Sequence, residues 1–84
     1  MKYPKTVEDA VLRLKKEIPK KDLEWVKKMR KSDLITLHHS LGRCIRNEYG
    51  LWDKNDVLLK ACGHEHPDDA SFVIIENLWE DLQK

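Results

Sequence analysis

Residues 34–52, LITLHHSLGRCIRNEYGLW, carry the pattern that decides the fold of this chain. At about 100° per residue, the apolar side chains of this stretch fall on one side of a helix, as expected of a helix that faces a core. We therefore predict a single helix here, capped by Ser32 or Asp33 at its start and ended by Gly50 at its C-terminus. The apolar stripe consists of Leu34, Leu37, Leu41, Cys44, Ile45 and Tyr49.

A second row of residues follows the border of that stripe. His38, Gly42 and Arg46 are each four positions apart, so they stack on one face, with a glycine between two potential cations. The missing side chain predicts a notch. Either another helix enters it, because glycine lets backbones approach closely, or a ligand does, with His38 and Arg46 as flanking donors.

Length and composition indicate a small helical protein. The chain has 84 residues, of which 40% are hydrophobic and 37% charged, with three glycines and three prolines. This composition suits helices better than a β fold with many turns. We expect an all-α fold, a small bundle of four to five helices in a single domain, residues 1–84.

Cysteine usage and hydropathy predict the compartment. Cys44 and Cys62 occur without an apolar leader segment, which favours reduced thiols in a cytoplasmic protein. No apolar run approaches transmembrane length, so we expect no membrane contact.

Charge is distributed unevenly along the chain. Residues 13–31 contain nine basic and three acidic residues, whereas residues 48–84 contain three basic and nine acidic ones. This polarity favours head-to-tail association, or it cancels internally if the two halves pack together. The lysines of the first half could contact phosphates, but the acidic second half opposes this, and we expect no nucleic acid partner.

Local signals predict the remaining helices. A helix is expected from Thr6 until Pro19, a second after Pro19, a short one from residue 55 to Gly63, and a last one from Pro67. The last helix has an unusually broad apolar face, which predicts contacts on more than one side, within the domain or with a second subunit. We therefore expect a homo-oligomer. Its apolar residues are Ala70, Val73, Ile74, Ile75, Leu78, Trp79 and Leu82.

Trp25 lies off the apolar stripe of the second helix. Such an aromatic either covers the edge of the core or docks a partner, and we favour the edge.

Arg46 and Asn47 are the strongest candidates for ligand binding. The guanidinium could hold a phosphate or carboxylate, Asn47 could add a directional hydrogen bond, and Tyr49 or Trp52 could supply a flat surface for a ring. In the alternative interpretation, which we favour, Arg46 pairs with an aspartate at the start of the last helix and Asn47 ties down the turn at position 50.

Catalytic and metal sites are not expected. His38 lacks an orienting carboxylate within reach, and no triad or elbow motif surrounds Ser71. The spacing of Cys62, His64 and His66 matches no zinc finger or ribbon. The sequence therefore predicts no catalytic residue, no metal and no cofactor.

Two motifs carry a resemblance to a known family. Residues 37–52 fit LHxxLGxxIRNxxGLW and residues 66–71 are HPDDAS. With these motifs the chain resembles a family of short helical domains of unknown function from bacteria and their mobile elements. The resemblance implies no activity and no cofactor, but it implies that the two polar runs belong to one site.

These observations lead to two functional hypotheses. The first is a non-enzymatic module that binds a small anionic or nucleotide-like ligand, for example to sequester a signalling molecule. The second is a protein-interaction adaptor or inhibitor that uses the charge asymmetry and the broad last helix. The predicted ligand-binding residues are His38, Gly42, Arg46, Asn47, Tyr49, Trp52, Asp68 and Ser71.

Overall fold

The computed structural model describes residues 3–37, 39–52 and 55–84, and within these ranges the chain forms five α-helices and one 3-10 helix. No strand occurs in the described ranges, and the predicted all-α fold is confirmed. In chain order the elements are α1 (Val7–Glu17), α2 (Lys20–Lys28), the 3-10 helix (Lys31–Leu37), α3 (Leu41–Glu48), α4 (Asp56–Ala61) and α5 (Pro67–Leu82).

Capping residues set the starts of three helices, as predicted. The Thr6 hydroxyl accepts a hydrogen bond of 3.1 Å from the Asp9 amide at the start of α1. The Asn55 side chain accepts one of 3.2 Å from the Leu58 amide at the start of α4. Pro67 is the first residue of α5. The Thr6 and Asn55 caps each satisfy an amide that has no partner within its own helix, and Pro67 occupies a first-turn position where a missing amide costs nothing.

Helix α5 is the centre of the fold and contacts α1, α2, α3 and the 3-10 helix. The broad apolar face predicted for it is thus covered largely by the same chain, and does not by itself call for a second subunit. Fully burying one large aliphatic side chain contributes about 1.5–3 kcal/mol, so this helix dominates the core. Its fully buried residues are Ala70, Ser71, Ile74, Ile75 and Leu78.

The single helix predicted for residues 34–52 is wrong, because the 3-10 helix ends at Leu37 and α3 begins at Leu41. In a continuous α-helix the Leu37 carbonyl would accept from the amide of residue 41. Instead it accepts from the Ser40 amide at 3.2 Å and from the Ser40 hydroxyl at 3.4 Å. Serine hydroxyls compete with helical hydrogen bonds in this way, and the helix breaks.

The predicted cap of this helix is also wrong. Ser32 and Asp33 lie inside the 3-10 helix, and the residue that precedes α3 is Ser40. The predicted end is confirmed: Gly50 follows the C-cap Tyr49 with a φ of 68°, and the Leu51 amide bonds the Arg46 carbonyl at 3.1 Å. This is the arrangement in which a glycine in the left-handed region closes a helix.

The break changes which face of α3 is buried. The buried residues of α3 are Gly42, Ile45 and Arg46, whereas Cys44 is exposed. Gly42 and Arg46 therefore lie in the middle of the buried face, not at its border, and Cys44 does not belong to the apolar stripe. The separate helices can turn independently, so α3 need not continue the stripe of Leu34 and Leu37.

Ion pairs connect the basic first half to the acidic last helix. Lys15 Nζ lies 2.6 Å from Asp81 Oδ2, and Lys31 Nζ lies 3.4 Å from Glu80 Oε1. The charge asymmetry of the sequence is thus partly neutralised within the chain. Such surface pairs contribute little to stability, because water and salt screen their charges. Within the described residues, no helix combines the length and apolar character needed to cross a membrane.

Candidate functional site

The two polar runs meet at Arg46, which projects from α3 towards the first turn of α5. Its Nη1 donates a 3.1 Å hydrogen bond to Ser71 Oγ, and its Nε lies 3.3 Å from Asp68 Oδ1. The Ser71 hydroxyl in turn donates to the Asp68 carbonyl at 2.9 Å. Arg46 is only 6% exposed and Ser71 is fully buried. This polar cluster of Arg46, Asp68 and Ser71 compensates a buried charge with an ion pair and a hydrogen bond.

Gly42 makes room for this cluster. A Cβ atom placed on Gly42 would lie 3.1 Å from Arg46 Nη1 and 3.6 Å from Ile75 Cδ1. The notch predicted at Gly42 is therefore occupied by the guanidinium of the same helix and by a side chain of α5. Close approach of a neighbouring helix, one of the two alternatives for the glycine, is what the structure shows.

Asn47 and Trp52 form a separate pair on the surface. Trp52 Nε1 donates a 3.2 Å hydrogen bond to Asn47 Oδ1, and the Trp52 side chain is 56% exposed. The bond spans the turn at Gly50 that ends α3. The Asn47 side chain thus holds this turn.

Tyr49 points into the core and meets α1. It is 2% exposed, and the Arg13 guanidinium carbon lies 5.8 Å from the centre of its ring. Burial raises the pKa of the Tyr49 hydroxyl far above its usual value, and the nearby carboxylates of Glu17 and Glu48 raise it further, while Arg13 lowers it. A fully protonated, buried phenol is part of the core and does not present a flat surface to a ligand.

Of the histidines considered in the sequence analysis, His38 lies outside the described residues. His66 is the N-cap of α5, and its Nδ1 accepts a 3.1 Å hydrogen bond from the Asp68 amide. In residues 3–37, 39–52 and 55–84, no three His, Cys, Asp or Glu side chains are grouped so that they could hold a metal ion.

An open groove between α1, α2 and α3 was missed by the sequence analysis. It has a volume of about 530 Å³, and Trp25, which is 61% exposed, forms part of its wall. Trp25 therefore covers the edge of the core only in part. The carboxylates of Glu17, Asp22 and Glu48 also line the groove. The apolar lining includes Leu14, Ile18, Val26, Leu37 and Leu41.

Trp25 was the available signal for this groove, because it is an aromatic residue off the apolar stripe of its helix. The rest of the groove could not be predicted from a helical pattern, since four separate elements line it: α1, α2, the 3-10 helix and α3. Cys44 and Ser40 also line it, and both are exposed.

A comparison with models of protein families identifies the family of the chain. Residues 3–82 match a family model described as a domain of unknown function, DUF6794. The chain belongs to this family. Neither the curated proteins nor the solved structures gave a match. The predicted resemblance to a family of unknown function is confirmed, while an origin in bacteria or mobile elements stays a prediction.

In this DUF6794 domain, the two motifs behind the resemblance are in direct contact. Arg46 belongs to the first motif, and Asp68 and Ser71 belong to the second. Their interaction joins α3 to α5, so the motif residues hold the fold together. The groove lies elsewhere, since none of these three residues lines it.

Proposed function

We propose that this DUF6794 domain is a non-enzymatic protein-binding module, and that its groove receives apolar side chains of a partner polypeptide. The observation that carries the proposal is Trp25, an indole that is 61% exposed beside an apolar groove floor. Tryptophan is enriched at protein interfaces, where it contributes a large share of the binding free energy. An exposed tryptophan next to unfilled apolar space has the character of such an anchor.

The shape of the groove favours a polypeptide over a small molecule. Small-molecule sites enclose most of the ligand surface and direct several polar groups towards it. This groove is open to solvent, and its floor is formed by aliphatic residues such as Leu14 and Leu37. A partner chain can place one or two apolar side chains there while the rest of the interface lies on the rim.

The polar cluster supports the hypothesis of a small anionic ligand less well. Arg46 is buried and engaged by Asp68 and Ser71, so an anion would have to replace the Asp68 carboxylate. The Asp68 side chain is 40% exposed and offers the route for such a replacement. The replacement would break a contact between α3 and α5, which opposes binding.

Peptide selection tests the proposal. Random peptides displayed on phage are selected on the immobilised full-length chain, and the affinities of enriched peptides are measured by fluorescence anisotropy. Trp25→Ala removes the groove anchor, and Trp52→Ala is a matched control because Trp52 is similarly exposed and does not line the groove. We expect affinity to fall about tenfold or more in Trp25→Ala and to change by less than about twofold in Trp52→Ala.

Two results would count against the proposal. Selection that enriches no peptide would leave the groove without a polypeptide partner. Enriched peptides that bind Trp25→Ala as tightly as the unmodified chain would show that the groove is not their site. Circular dichroism of each variant confirms that the helices are retained.

A further inference from the structure

We propose that the partner segment is cationic, with lysine or arginine residues flanking the apolar side chains that enter the groove. This inference rests on the protein-binding function proposed above and names the chemistry of its partner. It follows from the charges that line the groove, their lack of internal partners and the exposed indole beside them.

The charged residues of the groove share one sign. Glu17 is the last residue of α1, Asp22 lies in the first turn of α2, and Glu48 is the last residue of α3. Among the described lining residues none is basic. Residues 13–31 contain nine basic and only three acidic residues, yet two of those three acids line the groove. The local charge is therefore opposite to that of the surrounding segment.

Among the residues that the structure describes, no cation lies within ion-pair distance of these carboxylates. Other acids on the surface have partners, as Asp81 has Lys15 and Glu80 has Lys31. By contrast, in the described part of the chain Glu17, Asp22 and Glu48 form no ion pair within 4.0 Å. A cationic partner would supply the missing counter-charges.

Two of the carboxylates lie at helix C-termini beside the groove. Glu17 ends α1 and Glu48 ends α3, and both line the groove. Their negative charges therefore act on the same space.

No lysine of α2 lines the groove. Asp22, Trp25 and Val26 present one side of α2 to it. Helical periodicity places Lys20 and Lys27 on the opposite side of α2, and Lys21 and Lys28 at the border of the groove-facing side.

Trp25 adds a second reason to expect a cation. Among aromatic rings, the indole face attracts lysine and arginine side chains most strongly. Asp22 is three residues before Trp25 on α2, so an acidic group and an exposed indole are neighbours on the same helix face. An arginine or lysine of the partner can contact both.

A pair of designed peptides tests the charge of the partner. Both have the apolar positions of a peptide selected on the groove, with lysine at every charged position in one and glutamate in the other. Fluorescence anisotropy measures their affinities for the full-length chain at low and at moderate salt. We expect the lysine peptide to bind at least about tenfold more tightly, and its affinity to fall as salt is added.

Charge-neutralising variants locate the effect. The triple variant Glu17→Gln, Asp22→Asn, Glu48→Gln should reduce the lysine preference to less than about threefold. The control Glu24→Gln, Glu65→Gln, Asp69→Asn changes the net charge equally at exposed positions outside the groove and should keep the preference. If both triple variants lose the lysine preference equally, only the net charge of the chain determines that preference, and the inference is overturned.

The remaining outcomes separate the two proposals. If both peptides bind equally and both lose affinity in Trp25→Ala, the protein-binding function stands and a cationic partner is excluded. If neither peptide binds and selection also enriches none, the protein-binding function itself fails. If sedimentation shows that the chain self-associates and Trp25→Ala abolishes this, the occupant is a second copy, which also contradicts the inference.

Discussion

The Arg46 guanidinium occupies the space that a side chain on Gly42 would need, with Nη1 only 3.1 Å from an ideal Cβ position on the glycine. The glycine and the arginine are one turn apart on α3, and together they allow α3 to pack closely on α5. The predicted notch is thus a packing feature. Binding is expected at the separate groove beside Trp25.

Removing the arginine should destabilise the domain strongly. Arg46→Ala leaves a cavity, removes the donor to Ser71 and removes the ion pair that Arg46 forms with Asp68. We expect the free energy of unfolding to fall by about 2–4 kcal/mol. Arg43→Ala, at an exposed position of the same helix, should change it by less than about 0.5 kcal/mol. Urea denaturation followed by circular dichroism measures both, and equal effects would contradict a structural role.

Gly42 and Arg46 should be energetically coupled. In an Arg46→Ala background, Gly42→Ala should raise stability by about 0.5–1 kcal/mol, because alanine is the better helix former. In the unmodified chain the new methyl group displaces the guanidinium, so the gain should disappear or reverse. A double-mutant cycle from urea denaturation gives the coupling, expected near 1 kcal/mol. If the effects of Gly42→Ala and Arg46→Ala on the free energy of unfolding simply add, the guanidinium does not need the space beside Gly42.

Asn55 should contribute more to the free energy of unfolding than an ordinary helix cap does. Its Nδ2 donates to the Pro4 carbonyl at 2.8 Å and to the Tyr49 carbonyl at 2.9 Å, while its Oδ1 caps α4. Asn55→Ala should therefore cost about 2–3 kcal/mol, against about 1 kcal/mol for an ordinary cap.

A matched variant identifies the cause of that loss. Asn77→Ala removes an exposed asparagine whose Nδ2 donates a 2.8 Å hydrogen bond to the Val73 carbonyl of its own helix, and should cost less than about 0.5 kcal/mol. Asn55→Asp keeps the cap, but its carboxylate donates to neither the Pro4 nor the Tyr49 carbonyl. Full stability of Asn55→Asp in thermal denaturation would show that the bonds to Pro4 and Tyr49 contribute nothing.

The two cysteines should differ in reactivity. Burial raises the pKa of the Cys62 thiol to about 11, so it holds little thiolate at pH 8, whereas Cys44 is exposed in the groove. An aromatic disulfide reagent should modify Cys44 rapidly in the folded protein and Cys62 only after unfolding. Cys44→Ser should abolish the fast phase and Cys62→Ser should retain it. A fast phase that survives Cys44→Ser would contradict the burial of Cys62.

The parts of the fold that depend on local signals were predictable. Thr6, Asn55 and Pro67 start their helices through contacts with residues close in sequence. The break before α3 was not predicted, because it depends on whether the Ser40 hydroxyl bonds the Leu37 carbonyl or solvent. The periodic pattern alone continues through that point.

The polar cluster was predicted in part. A pairing of Arg46 with an aspartate of the last helix was the favoured alternative, and the contact with Asp68 follows it. The burial of Tyr49 agrees with its place on the predicted apolar stripe and not with a flat surface beside a ligand, and the sequence alone did not decide between these two roles. The structure directs Tyr49 into the core and leaves Trp52 on the surface.

The central claim is that partners bind at the groove and not at the polar cluster, and the tryptophan indole signals of a ¹⁵N-labelled sample test it most directly. Trp25, Trp52 and Trp79 each give one signal, which single tryptophan-to-phenylalanine variants identify. Titration with the lysine peptide should move the Trp25 signal. The signals of Trp52 and of Trp79, whose Nε1 donates to the Met29 carbonyl, should stay in place. Movement of Trp52 on adding the peptide, inorganic phosphate or a nucleotide, with Trp25 unmoved, would contradict the account.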